Sequence, residues 1–147
     1  MVLKIAIVIG TVIFMECFAW VVHKYIMHGF MWHWHQSHHT PQKGWFEKND
    51  LFGIIFALFS MVFIVFGSIY EAQIWFLVGI GILIYGIFYF LFHDILVHQR
   101  IRFRLKINNN YLQKIIRAHH IHHKTHTKAG AEAFGFLYAI KKYGVKK

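Results

Sequence analysis

Three long apolar runs constrain the fold of this sequence more than any other feature. They cover residues 2–22, which only Lys4 and Glu16 interrupt, residues 51–70 and residues 74–92, and the last two runs contain no charge. A helix needs about 20 residues to cross the hydrocarbon core of a bilayer. The sequence therefore predicts an all-α integral membrane protein with about three transmembrane helices.

The composition agrees with that class of protein. Hydrophobic residues make up 57% of the 147 residues and charged residues 15%, whereas a soluble chain has roughly 25% charged residues. A chain of this length forms one domain, and we expect a single membrane-embedded domain over residues 1–147. Cys17 is the single cysteine, which excludes a disulfide framework, a thiolate zinc site and an iron–sulfur cluster.

The positions of the cations predict how the chain is oriented. The link 71–73 is so short that the second and third runs form an antiparallel hairpin. If all three runs span, 15 of the 16 basic residues lie on one face, among them Lys24, Lys43 and Lys48. The positive-inside rule places that face in the cytoplasm. The net charge of +10 is then explained by topology and by anionic lipid, and it requires no nucleic acid.

Ten of the thirteen histidines follow a repeated order, H-x4-H and then H-x2-HH, once before the hairpin and once after it. All ten lie on the predicted cytoplasmic side. Neutral imidazole binds Fe, Zn, Cu or Ni, and ten imidazoles exceed the needs of one ion, so the count fits two metals. The candidate metal ligands are His23, His28, His35, His38, His39, His93, His98, His119, His122 and His123.

The spacing of these histidines predicts which of them converge. Residues at i, i+3 and i+4 share one stripe of a helix, so each H-x2-HH cluster can converge on one region. Histidines five residues apart lie about 140° apart on an ideal α-helix. His23 and His28 therefore need not share a metal, and neither do His93 and His98.

The histidines have three alternative interpretations besides a dimetal site. A single histidine at a membrane edge is usually an interfacial polar residue, but that explanation does not account for four clusters in a repeated order. A bundle that binds haem through two histidines needs only two or four of them within facing helices. Histidine-rich tracts for metal storage or transport are usually of low complexity, unlike this fixed spacing.

Two acids and one short segment lie near the predicted site. Glu16 precedes His23 by seven residues, on nearly the same helical face, and we expect it to face the protein interior, because an acid exposed to lipid is costly. Asp94 either orients the neighbouring His93 imidazole or is simply solvated at the helix end. The apolar patch 133–140 is too short to span, and we expect it to dock on the protein or to enter the membrane partly.

The glycines of the third run, Gly79, Gly81 and Gly86, predict close helix packing or a groove. Packing between small residues is the more ordinary explanation for each of them.

The sequence resembles the bacterial β-carotene 3-hydroxylases, the carotenoid branch of the fatty acid hydroxylase superfamily. The resemblance lies in the four histidine clusters and in the sequence segments around them, and it covers nearly the whole chain. These segments are HKYIMHG at 23–29, HQSHH at 35–39, the stretch with Lys43, Gly44 and 46–51, HDILVHQR at 93–100 and FGFLYA at 134–139. His33, His120 and His126 lie outside the family pattern, and we expect them not to be metal ligands.

The resemblance implies an O2-dependent membrane hydroxylase with two non-haem irons held by the ten histidines. The expected substrate is β-carotene, hydroxylated at carbon 3 of its β-ionone rings to give β-cryptoxanthin and then zeaxanthin. The sequence contains no Gly-rich dinucleotide motif, so a separate electron donor such as reduced ferredoxin is expected. The resemblance assigns no catalytic residue beyond the metal centre.

Alternatives to that function remain open at the level of sequence. The same metal site serves hydroxylases or desaturases of sterols, fatty acids or other lipids, and a non-catalytic membrane carrier of haem or metal is a further possibility. Imidazole sites bind zinc more tightly than Fe(II), so zinc can substitute for iron in a purified sample.

Overall fold

The computed structural model describes residues 1–40, 44–101 and 107–144, and all regular secondary structure in these ranges is helical. This confirms the predicted all-α class. Lys43, one of the cations counted above, lies outside the described residues.

Two of the helices change from α-helical to π-helical geometry where the histidine clusters begin. The order along the chain is α1 (Val2–Val21), a first π-helical segment (Val22–Phe30), α2 (Trp32–His39), α3 (Asp50–Ile69), α4 (Gln73–Tyr89), a second π-helical segment (Phe90–Val97), α5 (Asn110–His122) and a 3₁₀ turn (Lys141–Tyr143). The Asn109 side chain caps α5, where its Oδ1 accepts the amides of Tyr111 and Leu112 at 2.9 and 3.1 Å.

In the described ranges, three helices are long and apolar enough to span a membrane: Val2–Phe30, Asp50–Ile69 and Gln73–Val97. The second agrees with the predicted run, whereas the first and third extend past positions 22 and 92, where the sequence turns polar. The physical reason is that the polar residues beyond these positions include His23, His28 and His93, which are buried inside the protein. These two helices therefore continue past the first histidine of each H-x4-H motif.

Small residues bring the spanning helices close together. A side-chain Cβ at Gly81 would lie 2.5 Å from the Cβ of Thr11, so α4 contacts α1 through this glycine. A Cβ at Gly79 would lie 2.7 Å from the Ile64 side chain, which joins α4 to α3. These two glycines confirm the prediction of close packing, whereas Gly86 lines a cavity.

The apolar patch 133–140 docks on the helices, which is one of the two arrangements expected from the sequence. Phe136 packs with Met15 and Ala19 of α1 and with Ile82 and Tyr85 of α4. Ala139 and Tyr143 pack against Ala118 of α5. The patch therefore connects α5 to the membrane-spanning helices beside the histidines.

Candidate metal centre

The structure gathers nine of the ten candidate histidines into two adjacent groups. Within each group the possible ligand atoms all lie within 4.8 Å of one another. The first histidine group is His23, His28, His35, His39 and His122, and the second histidine group is His38, His93, His98 and His119.

The tenth candidate, His123, lies between the two groups. Its ring centroid is 4.5 Å from those of His38 and His119 in the second group, and 4.5 Å from that of His39 in the first. Its Nε2 is the only buried side-chain nitrogen or oxygen in the described part of the chain that has no hydrogen-bond partner. A buried imidazole nitrogen without a partner is available to a metal ion.

The π-helical segments explain why the H-x4-H pairs converge. In a π-helix the backbone bonds i to i+5, so residues five apart lie on the same side of the helix rather than far apart around the axis. The amide of His98 donates to the carbonyl of His93 at 2.9 Å in this pattern. The ring centroids are 5.4 Å apart for His23 and His28 and 4.6 Å apart for His93 and His98. Each pair belongs to one group, which the spacing alone had left open.

The H-x2-HH clusters instead divide between the groups. His35 and His39 belong to the first group and His38 to the second, while His122 belongs to the first and His119 to the second. On α2 and on α5, the stripe of histidines is therefore wide enough to face both groups. The prediction that each cluster converges on one region holds for the combined site rather than for a single ion.

The first histidine group has all five Nδ1 atoms bonded to oxygens that can only accept hydrogen bonds. The acceptors are the carbonyls of Phe134, Lys128, Thr125 and Glu132 for His23, His28, His39 and His122, at 2.7–3.1 Å, and Asn49 Oδ1 for His35, at 2.7 Å. Each Nδ1 must therefore carry the proton, because a carbonyl has none to give. The Nε2 atom of every member is left as a lone pair.

These lone pairs point at one another. Nε2 of His35 lies 3.1 Å from that of His23 and 3.2 Å from that of His39, and Nε2 of His28 lies 3.2 Å from that of His122. Two imidazole lone pairs at such distances repel unless a cation lies between them. The donor set therefore fits a metal ion at the centre of the first group.

The second histidine group is oriented by carboxylates. His38 Nδ1 donates to Glu47 Oε2 at 3.1 Å, and His93 Nδ1 donates to Asp94 Oδ1 at 2.8 Å. Nε2 of His38 then lies 2.9 Å from that of His93, and Nε2 of His98 lies 2.9 Å from that of His119. For Asp94, this contact is the orienting arrangement rather than solvation at the helix end. Carboxylates on the far nitrogen raise the basicity of a ligating imidazole.

Burial keeps the imidazoles outside the membrane spans neutral. Removal from water lowers the pKa of His35 to about 2, that of His122 to about 3, and those of His39 and His98 to about 4. It also lowers the pKa of His38 and of His119 well below the usual range. The neutral form is the one that binds metals, so these side chains are ready to ligate at neutral pH.

Arg100 contacts the three acids that lie beside the second histidine group. Its guanidinium holds Asp50 through two hydrogen bonds of 2.7 and 3.0 Å, and it approaches Glu47 to 3.6 Å and Asp94 to 3.7 Å. The hydrogen bonds to Asp50 raise the pKa of Arg100 above its usual value. One cation thus balances three carboxylates, two of which orient histidines.

A cavity of about 330 Å³ lies beside the histidines, among α1, α3 and α4. Its wall is apolar for most of its length and becomes polar at one end, at Asn49, Asp50, Asp94 and Arg100. Asn49 and Asp94 are bonded directly to His35 and His93, so the polar end adjoins both histidine groups.

A second apolar groove continues the cavity outward. The two share five wall residues, namely Met15, Val22, Phe52, Phe56 and Ile82. The groove is also lined by the exposed α1 residues Phe14 and Phe18 and by Phe59 of α3. Because these side chains face outward from spanning helices, the groove connects the cavity with the lipid.

Several residues that complete the site were missed by sequence reasoning. Asn49, Glu47, Arg100 and Phe136 lie within the segments quoted for the resemblance, but nothing in their spacing showed that they contact histidines. Glu16 faces the protein interior, as predicted, and binds the backbone of 136–138. His33, His120 and His126 are exposed and belong to neither group, although His126 Nδ1 donates to the carbonyl of His39 at 2.6 Å.

Membrane helices that enclose two clusters of imidazoles are typical of membrane enzymes that bind metal ions, and comparisons with known proteins identify the family. Residues 8–141 match the family described as fatty acid hydroxylase, and the chain belongs to that family. The resemblance seen in the sequence is thereby confirmed.

Several relatives in this comparison are named beta-carotene hydroxylase. The beta-carotene hydroxylase of Pantoea ananas is 49% identical over 135 residues, which are 90% of this chain and 75% of the relative. That of Pseudescherichia vulneris is 47% identical over 137 residues, 92% of this chain and 76% of the relative. The chloroplastic beta-carotene hydroxylase 2 of Capsicum annuum is 38% identical over 121 residues, 80% of this chain and 39% of the relative. No solved structure matches the chain.

Proposed function

We propose that this protein is an O2-dependent β-carotene 3-hydroxylase, which converts β-carotene to β-cryptoxanthin and then to zeaxanthin. The observation that carries the proposal is the convergence of imidazole Nε2 lone pairs in two adjacent groups. Relatives named beta-carotene hydroxylase support the choice of substrate.

The proposed ligands are the ten motif histidines, five for each of two iron ions. His123 is assigned to the second group, because its ring lies 4.5–4.7 Å from those of His38, His98 and His119. Two irons held by these histidines would supply the redox chemistry that activation of O2 and attack on an unactivated C–H bond require. Zinc can occupy the same imidazoles but cannot change its oxidation state.

The chain's own residues would hold and orient the substrate. A carotenoid is dissolved in the bilayer, and the apolar groove offers it a way into the cavity between α1 and α3. The apolar walls at Met15, Ala19 and Ile82 exclude water from its end group. Hydrogen bonds from Nδ1 to fixed carbonyls keep the imidazoles in place during turnover.

The histidines are proposed to lie on the cytoplasmic side, where a soluble donor can deliver electrons. The described cations that are exposed on this face include Lys48, Arg117, Lys124, Lys128 and Lys141. Such a surface attracts an acidic partner of the ferredoxin kind. Reporter fusions at both termini test the topology: a cytoplasmic signal from the amino-terminal fusion would refute it.

The geometry does not favour the haem alternative. Axial imidazoles lie on opposite faces of a porphyrin, and Nε2 atoms that are 2.9–3.2 Å apart leave no gap for the ring between them. Hydroxylation of another lipid by the same metals remains an outcome of the functional test.

Expression of the chain in cells that accumulate β-carotene, followed by pigment chromatography, tests the proposal. The expected result is zeaxanthin together with the singly hydroxylated intermediate. The matched control is His93→Ala, which removes one proposed ligand and should leave the pigment unchanged. An unchanged pigment profile from folded, iron-loaded wild-type protein with a working electron donor would reject the carotenoid substrate.

A further inference from the structure

The acid within the first spanning helix binds a turn of backbone rather than a histidine. Glu16 Oε1 accepts the amides of Phe136, Leu137 and Tyr138 at 3.0, 2.9 and 3.0 Å, and Oε2 accepts the Tyr85 hydroxyl at 2.9 Å. A carboxylate within a membrane span is costly, and four hydrogen bonds offset that cost. No part of the metal site proposed above explains why an acid should lie here.

The turn that Glu16 binds is shaped for this contact. At Gly135, a Cβ would lie 2.7 Å from the carbonyl oxygen of Tyr138 and 3.1 Å from Glu16 Oε1. Only glycine therefore leaves room for the backbone to close around the carboxylate. Tyr111 holds the same turn from the other side, where its hydroxyl donates to the carbonyl of Leu137 at 2.5 Å.

The turn presents the ring of Phe136 to both histidine groups at once. The ring is stacked on His23 of the first group at 5.2 Å, with an angle of 5° between the planes. It is edge-on to His93 of the second group at 5.5 Å, and its centroid lies 6.4 Å from that of His119. Phe136 is 7% exposed, so it has little space in which to move.

The same ring forms part of the cavity wall. Phe136 lines the cavity together with Met15, Ala19 and Ile82, and no histidine is among the lining residues in the described part of the chain. Phe136 is therefore one of the side chains between the cavity and the imidazoles, together with Tyr89, whose ring is stacked on His93 at 4.4 Å. Of the wall residues, Phe136 is the one whose ring contacts His23 of the first group as well as His93 and His119 of the second, so its edge bounds the approach of an end group to both groups.

We propose that Phe136 determines which carbon of the substrate's end group meets the dimetal centre, and that Glu16 is the positioning residue that holds Phe136 there. The inference rests on the proposed carotenoid hydroxylation and adds a specificity determinant to it. Adjacent carbons of a cyclohexene ring are separated by a single carbon–carbon bond length. A shift of about 1 Å in the aromatic wall is therefore enough to change the nearest C–H bond.

The first test removes the ring. Phe136→Leu and Phe136→Ala are expressed in cells that accumulate β-carotene, and products hydroxylated at carbon 3 are separated from those at carbons 2 and 4. Phe136→Ala should raise the share of the other positions about tenfold, and Phe136→Leu should raise it less. Iron per chain, measured on the purified variants, should equal that of the wild type.

Two results of this test would overturn the proposal. One is the wild-type product ratio from iron-loaded Phe136→Ala. The other is loss of iron from both variants, because Phe136 would then support the histidines rather than separate them from the cavity.

The second test examines Glu16 by amide exchange, which does not depend on activity. In the full chain reconstituted in lipid, Glu16→Ala leaves three amides without their acceptor, and a peptide covering 134–139 should gain about three early deuterons. Tyr85→Phe is the matched control, because it removes only the bond to Oε2 and should leave exchange of this peptide unchanged.

The conservative variant connects the exchange result with specificity. Glu16→Gln keeps a carbonyl oxygen for the three amides, so both protection and the wild-type product ratio should return. Unchanged exchange in Glu16→Ala, or faster exchange with the wild-type product ratio, would refute the role of Glu16. If the wild-type protein hydroxylates no carotenoid at all, the proposed function fails while the exchange result still stands, so the two failures are distinguishable.

Discussion

Replacement of Arg100 by glutamine should destabilise the fold and weaken one of the two proposed metal sites. The side chain of Arg100 is 19% exposed, and those of Glu47, Asp50 and Asp94 are 12–19% exposed, so solvent screens these charges only partly. Removal of one partner from a buried pair costs about 3–5 kcal/mol. Because the cluster is partly exposed, and because Asp50 keeps the amide of Glu47 as a donor, we expect a loss of about 3 kcal/mol.

The effect on metal binding should be confined to the second histidine group. Glu47 and Asp94 orient His38 and His93, both in that group, whereas the first group is held by backbone carbonyls and Asn49. Loss of an orienting contact typically weakens metal affinity about 10–100-fold. One of the two ions should therefore become easier to remove, while the other keeps its wild-type affinity.

Two measurements on lipid-reconstituted protein check this prediction. The free energy of unfolding is obtained from denaturant titration in mixed micelles, and metal affinity is obtained from competition with a chelator. Arg100→Lys is the matched control: it keeps the charge but loses the bidentate contact, so it should lie between the wild type and Arg100→Gln. An Arg100→Gln protein with wild-type stability and two ions of wild-type affinity would refute the reasoning.

Two further predictions concern the histidines. Alanine at any of the ten motif histidines should abolish most hydroxylation, whereas His33→Ala, His120→Ala and His126→Ala should keep much of it. The measurement is pigment conversion per amount of membrane protein. An inactive, normally expressed His33→Ala or His120→Ala variant would contradict the ligand assignment. Metal-depleted protein should lose stability as the pH falls from about 6.5 toward 4, because the unfolded chain protonates histidines whose pKa is about 2–4 in the folded state. Each such histidine contributes about 1.4 kcal/mol per pH unit, and a thermal unfolding temperature that does not change between pH 7 and pH 5 would exclude this origin.

The membrane architecture could be predicted from the sequence because apolar length is nearly sufficient to specify a spanning helix. The run 51–70 and the helix Asp50–Ile69 differ by one residue at each end. The other two helices were predicted too short, since His23 and His93 look like the beginning of a polar segment. Their burial in a shared site can be seen only when the facing helices are in place.

The sequence predicted which histidines come together but not how they are grouped. The repeated pattern identified ten histidines, yet the expected angle between His23 and His28 assumed an α-helix. The structure adopts π-helical geometry there, and no spacing rule distinguishes the two backbones in advance. The contact between Glu16 and 136–138 joins residues about 120 positions apart, so local sequence patterns cannot predict it.

The iron content of the protein, measured together with its hydroxylating activity, tests the central claim that the two histidine groups hold two irons for catalysis. The protein is purified without oxygen in lipid particles, loaded with iron or with zinc, and supplied with reduced ferredoxin and β-carotene. The two groups predict two irons per chain, zeaxanthin formation in proportion to iron, and none from the zinc-loaded sample. Full activity with a single iron per chain, or any turnover by zinc alone, would contradict it.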